Sequence, residues 1–336
     1  MAANLLQVER LSISVGGGAG RVVSDTGKPL LAVDDISFTI RAGEIVGIAG
    51  ESGCGKTLTA LSIPALLPEG VGRVGGSIVF DGVDLGALPP HELTARRGKD
   101  ISMIFQEPMT SLNPLLRVGR QIAESLELHG ETDRALVRQK TLDIMRQVGL
   151  PDPVRLAAMY PHQLSGGMRQ RVMIALAIVC GPRLLIADEP STALDVTIQA
   201  QILRLLRRIN RERGVAILFI SHDLALLSRV CDRMLVMYAG KIVEEGAASD
   251  LFTAPVHEYT RGLIGSIPDR SRKGMALVNI PGKVPSLEEL GGIRDGCPFA
   301  PRCYAAVETC LTHFPKPTML NAHHRVHCVH AGARHG

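Results

Sequence analysis

Gly50-Glu51-Ser52-Gly53-Cys54-Gly55-Lys56-Thr57 is the stretch on which the fold turns. It fits G-x-x-x-x-G-K-[ST], follows the short apolar run Glu44–Ala49 and leads into a helical pattern, the context the motif requires. Glycines let the backbone curl so that successive N–H groups face phosphate oxygens. The helix start adds partial positive charge. Lys56 is suited to neutralise phosphates, and Thr57 offers a hydroxyl to Mg²⁺. The phosphate-binding set is therefore Gly50, Glu51, Ser52, Gly53, Cys54, Gly55, Lys56, Thr57 and the following Leu58.

Outward from this loop, alternation at Leu6, Val8, Leu11, Ile13 and Val15 predicts one strand, and Ile36, Phe38 and Ile40 another. A polar, glycine-rich loop, Gly16–Pro29, separates them. A helix is expected from about Lys56 to Leu67, stopped by Pro68. Apolar residues every three or four positions predict helices at Val118–His129 and Thr132–Val148, the second ended by Gly149 and Pro151. Alternation then returns. Leu184–Ala187 reads as a strand, Val196–Arg213 as a helix, Ala216–Ile220 as a strand and Leu224–Val230 as a helix. Met234–Tyr238 and Lys241–Glu245 read as a hairpin. The pattern predicts a parallel sheet wrapped by helices, with a helical insertion and an antiparallel layer at the start. Near Ile267 the composition shifts to Pro, Gly, His and Cys, and a boundary is placed there.

Composition narrows the classes. Apolar residues make up 46% of the 336, charged residues 21% and aromatics 3%, with no Trp. That is the profile of a globular protein, with little to stack on nucleic-acid bases. A net charge of +4, from 37 basic and 33 acidic residues, gives no separate argument for nucleic acid, and none is expected as a partner. Arg204, Arg207, Arg208, Arg211 and Arg213 read as the outer face of a helix. No run approaches the ~18 apolar residues of a membrane span, so spans would come from other chains.

Two more stretches carry chemistry. Leu184–Ala187 ends in Asp188 and Glu189: Asp188 can hold Mg²⁺, and Glu189 can orient and deprotonate an attacking water. Between the two motifs lies Leu164-Ser165-Gly166-Gly167-Met168-Arg169-Gln170, where Ser165 caps a helix and the glycines bare its first amides. With Gln106 after a strand, Ser191-Thr192-Ala193-Leu194-Asp195, and His222 after another strand, this order resembles the ABC ATPases over residues 1 to about 265. The resemblance implies an ABC-type P-loop NTPase of class α/β, with an antiparallel β subdomain and a helical subdomain at about 107–180. It implies catalytic roles for Glu189, His222 and Gln106, and Mg²⁺ contacts from Thr57, Gln106 and Asp188. Ser165, Gly166, Gly167 and Gln170 would meet the ATP of an opposing subunit, and Ser191 and Asp195 would line the seam between subunits. The family usually stacks adenine on an aromatic near the first strands, but none precedes Phe38 here. Val15 or Val22 could take that place.

Phe105–Pro114, Tyr160–Gln163, Asp195–Gln201 and His257–Leu263 make the resemblance narrower, to ATPase subunits of dipeptide/oligopeptide importers, whose relatives also serve nickel import. This implies a paralogous ATPase as heterodimer partner, two transmembrane permease subunits, a solute-binding protein acting indirectly, and a peripheral place on the cytoplasmic membrane face. Alternatives are a nickel or other small-solute importer and a non-transport ABC ATPase. The extension, residues 266–336, carries Cys297, Cys303, Cys310 and Cys328 at C-x5-C-x6-C-x17-C. That spacing matches neither common ferredoxin nor zinc-ribbon patterns. Four thiolates could hold an iron–sulfur cluster or zinc, with nearby histidines as substitutes, or stay reduced and inert. The resemblance favours a [4Fe-4S] cluster, because some importer ATPases carry one in this segment.

Overall fold

The computed structural model describes residues 4–16, 30–107, 111–191, 194–267, 279–292 and 295–332. Its strands are β1 (Asn4–Val15), β2 (Leu30–Arg41), β3 (Ile45–Ala49), β4 (Val71–Phe80), β5 (Val83–Asp84), β6 (Ile101–Ile104), β7 (Leu184–Asp188), β8 (Ala216–Ser221), β9 (Arg233–Tyr238), β10 (Lys241–Ala247), β11 (Thr318–Asn321) and β12 (His324–Val326). The described residues gather into two compact units. One comprises 41–44 and 87–219; the other comprises 4–40, 45–86 and the chain from 220 onward.

In the first unit β6 and β7 are parallel, with Ile101 opposite Leu184 and Ile104 opposite Ala187. β7 is buried throughout, as expected for a strand covered on both faces. Helices Val118–Leu128, Arg134–Gln147, Pro153–Ala157 and Gly166–Ile178 form the helical part. Helix Val196–Arg213 follows. It buries Ile202, Leu205, Leu206 and Ile209, one stripe at helical spacing, and ends on Gly214 in the left-handed conformation. Arg204, Arg208, Arg211 and Arg213 lie exposed, as the outer-face reading requires. Two of them also fasten neighbours: Arg208 donates to the Gln147 carbonyl and Arg213 to that of Ile178.

The second unit holds a four-stranded sheet in the order β2-β1-β4-β5. β1 and β4 run antiparallel, with a bulge between Glu9 and Ser12. Gly76 occupies φ 81°, where an added Cβ would lie 2.3 Å from the Glu9 carbonyl oxygen. Gly75 and Gly76 within the run are what hide β4 from a search for alternation. The unit also holds the strand run β11-β12-β10-β9-β3. β3 and β9 are parallel, β9 and β10 form the expected antiparallel pair, and β12 adds to β10 with Glu244 opposite Val326. The strands beyond Ile267 thus continue a sheet begun at β3.

One local expectation needs correction. The helix after the phosphate loop ends at Ser62, short of Leu67. Pro64 has no N–H to give, and Ala65 takes φ 53°, so Pro64 stops the helix rather than Pro68.

Candidate functional site

The phosphate loop leaves the carboxyl end of β3, where ligands of parallel sheets are bound. Gly55 sits at φ 101°, and a Cβ there would lie 2.7 Å from the Ala32 carbonyl oxygen, so only glycine fits. Lys56 is buried, and its Nζ donates to the carbonyl oxygens of Gly50 at 2.8 Å and Glu51 at 2.9 Å. The ammonium is folded into the loop it belongs to. Ser52, Gly53 and Thr57 are exposed, Leu58 is half-buried, and Cys54 is buried, with burial pushing its thiol pKa up. Cys54 is therefore held as a thiol, not a nucleophile.

The carboxylate pair lies in the first unit. Asp188 closes β7 and is 2% exposed. Glu189 turns off the strand with φ 45°, a left-handed backbone that a non-glycine residue seldom takes. Since β6 and β7 are parallel and in register, Gln106 and Glu189 emerge at the same end. Gln106 Nε2 stands 3.5 Å from Glu189 Oε2. The amide donates to the carboxylate directly, and one water beside the pair could contact both.

Ser165 caps helix Gly166–Ile178, its Oγ accepting from the Met168 amide at 3.3 Å. At Gly167 a Cβ would come 2.9 Å from Ile198 Cγ2, so the glycine keeps this turn close to helix Val196–Arg213. Gln170 is buried, and its Nε2 finds no hydrogen-bond partner among the described residues. Ser191 Oγ accepts from Gln199 Nε2 at 3.2 Å, and Asp195 caps its helix through the Ile198 amide at 2.9 Å. His222 is exposed at the end of β8, before Asp223 caps helix Leu224–Val230. Val15 is half-buried at the end of β1; Val22, Thr192 and Ala193 lie outside the described residues.

The four tail cysteines line one pocket, together with His257, Phe299, His327 and His330. Cys297 and Cys310 are buried, and the Cys297 amide donates to the Cys310 carbonyl at 2.7 Å. Burial pushes the Cys297 thiol up to about 12, with smaller upward pushes from the other three cysteines. Burial also raises Cys303 and Cys328. Among the described residues no group of three or more His, Cys, Asp or Glu side chains is gathered as a single-ion site.

Sequence reasoning passed over residues that hold the loops in place. Gln121 accepts from the Asn113 amide and donates to the carbonyls of Asn113 and Leu116, fastening the segment that follows Gln106. Tyr259 Oη accepts from the Glu51 amide at 2.8 Å. Arg302 forks onto the Glu51 carboxylate. A polar residue within an apolar helical face flags Gln121. Nothing local flags Arg302, whose partner is 251 positions away.

Two family profiles match: ABC transporter over residues 33–192, and oligopeptide/dipeptide transporter, C-terminal region, over residues 243–310. The probable peptide ABC transporter ATP-binding protein y4tR of Sinorhizobium fredii is 49% identical over 299 residues, 88% of each chain. The oligopeptide transport ATP-binding protein OppD of Escherichia coli is 50% identical over 284 residues, 84% of this chain and 83% of that one. OppD of Salmonella typhimurium is 47% identical over 306 residues, 91% of this chain and 88% of that one. Among solved structures, dimeric MJ0796, a bacterial ABC transporter cassette, matches 72% of this chain and 98% of its own at 27% identity, with a TM-score of 0.63.

Proposed function

Because the chain belongs to the ABC transporter family, in the branch that carries the oligopeptide/dipeptide transporter C-terminal region, we propose that it hydrolyses ATP to power a peptide importer. The observation that carries the reading is the meeting of Gln106 and Glu189 at the carboxyl ends of two parallel strands, in a chain that also holds the Gly50–Thr57 loop.

Lys56 and the loop amides bind the β and γ phosphates. Thr57, Asp188 and Gln106 would hold Mg²⁺, and the ion would supply charge neutralisation at the phosphoryl oxygens. Glu189 orients the attacking water and takes its proton, and His222 contacts the γ-phosphate. Ser165, Gly166, Gly167 and Gln170 meet the ATP of a second, paralogous ATPase subunit, and Ser191 and Asp195 line that seam. Val15 or Val22 would rest against the adenine. No described helix is long and apolar enough to cross a membrane. Two permease subunits supply the path, a solute-binding protein supplies the peptide, and the chain works on the cytoplasmic face.

The thiol pocket would seat a [4Fe-4S] cluster, with Cys297, Cys303, Cys310 and Cys328 as its ligands. Support comes from four soft donors that line one pocket. When bound, the cluster supplies cross-linking of a segment rich in Pro and His, not a redox step. An anaerobic preparation should absorb broadly in the visible, and zinc without iron on metal analysis would refute the cluster.

Deleting the gene for this chain should abolish ATP-dependent uptake of labelled oligopeptides, and a Glu189→Gln copy should fail to restore it. Intact peptide uptake with lost nickel uptake would instead favour the metal importer.

A further inference from the structure

We propose that Arg302 is a positioning residue for the phosphate loop: it neutralises and orients Glu51, so that the charge of Lys56 stands uncancelled where ATP binds. The inference deepens the ATPase reading and rests on it.

Glu51 is the second residue of the phosphate loop and is held at three points. Its carboxylate accepts from Arg302 Nη1 at 2.8 Å and Nη2 at 3.2 Å, a two-pronged pairing. Its amide donates to Tyr259 Oη at 2.8 Å, and its carbonyl accepts from Lys56 Nζ at 2.9 Å. The residue that fixes Lys56 in the loop is thus fixed by Arg302. Arg302 is itself 8% exposed and fully engaged. Its Nε donates to the Pro281 carbonyl at 2.7 Å and Nη1 also reaches Tyr238 Oη at 3.2 Å. Its guanidinium carbon lies 5.7 Å from the Tyr238 ring centroid and 5.9 Å from that of Phe299. Such a site rewards Arg's planar fork and its permanent charge. Since Arg302 lies between Cys297 and Cys303, one short segment serves both the thiol pocket and the loop.

A carboxylate at the edge of a triphosphate site repels the ligand unless a cation offsets it. Without Arg302, the Glu51 carboxylate would offset the charge that Lys56 brings to the loop. A merely structural ion pair makes a different prediction: removing both partners would be no better for ATP than removing one.

The test is the dissociation constant of a fluorescent ATP analogue with Mg²⁺, measured on the full chain. Arg302→Ala should weaken binding about ten-fold, within the roughly 5–150-fold span of coupled sites. Glu51→Gln in the Arg302→Ala background should restore binding to within about two-fold of wild type. The Arg302→Ala defect should shrink as salt rises, as charge repulsion does. Should Arg302→Ala fail to fold, Arg302→Gln, which keeps length and a donor, carries the same comparison. Wild-type affinity in Arg302→Gln, or a double variant weaker than the single, overturns the proposal. Failure of the wild-type chain itself to bind the analogue would overturn the ATPase reading as well, which separates the two.

Discussion

Glu189 holds a left-handed backbone at the end of a fully buried strand, and such conformations cost roughly 1–3 kcal/mol. The surrounding strand must overdetermine it, which suits a side chain that has to keep station over a reacting water. Glu189→Gln keeps size and polarity but not basicity. It should slow phosphate release by about 10²–10⁴ while leaving ATP binding near wild type. Lys56→Ala should instead abolish nucleotide binding, read by the same fluorescent analogue. The residues of these motifs are legible in the sequence because spacing along the chain defines them: a loop, a strand end, a capped helix. Arg302 and Tyr259 are illegible for the opposite reason, since each meets Glu51 only after more than 200 residues have folded back.

At the scale of elements, helix Glu258–Gly265 begins at buried His257, whose Nδ1 accepts from the Tyr259 amide at 3.1 Å. An accepting nitrogen carries no proton, and burial lowers the His257 pKa to about 4. The folded value lies below the unfolded one, so the unfolded chain binds the extra proton first. Stability from this group is complete above about pH 6.5 and is lost as pH falls toward 4, by roughly 3 kcal/mol at most. Urea melts across that window should show the decline, and His257→Asn, which caps without titrating, should flatten it. Nearby, buried Glu244 on β10 accepts from the amides of Val256 and His257 and pairs with His324 Nε2 at 2.8 Å. Glu244→Ala would leave those donors buried and unmatched, and should cost about 3–5 kcal/mol in a urea melt. The long helices and central strands were legible because their apolar periods are clean; helix Val196–Arg213 matches its expected bounds. β4 was not, because its glycines interrupt the alternation, and β11 and β12 are too short for a period to register.

For the molecule as a whole, the second unit is assembled from both ends of the chain, residues 4–40 and 45–86 with 220 onward. Composition shows a change near Ile267, but composition says nothing about pairing, and β12 hydrogen-bonds to β10 across that point. A chain ended at Gly265 would bare the β10 edge and strip Glu244 of His324. It should therefore aggregate or melt well below the full-length protein, a comparison that static light scattering and calorimetry can make. The separation of Glu51 from Arg302 has a further consequence for biosynthesis. At roughly 5–20 residues per second a ribosome makes Arg302 about 10–50 s after Glu51. Throughout that interval the nascent chain holds Glu51 without Arg302. With Arg302 as the positioning residue of the phosphate loop, a site ready to take up fuel is complete only once the ribosome has passed that arginine.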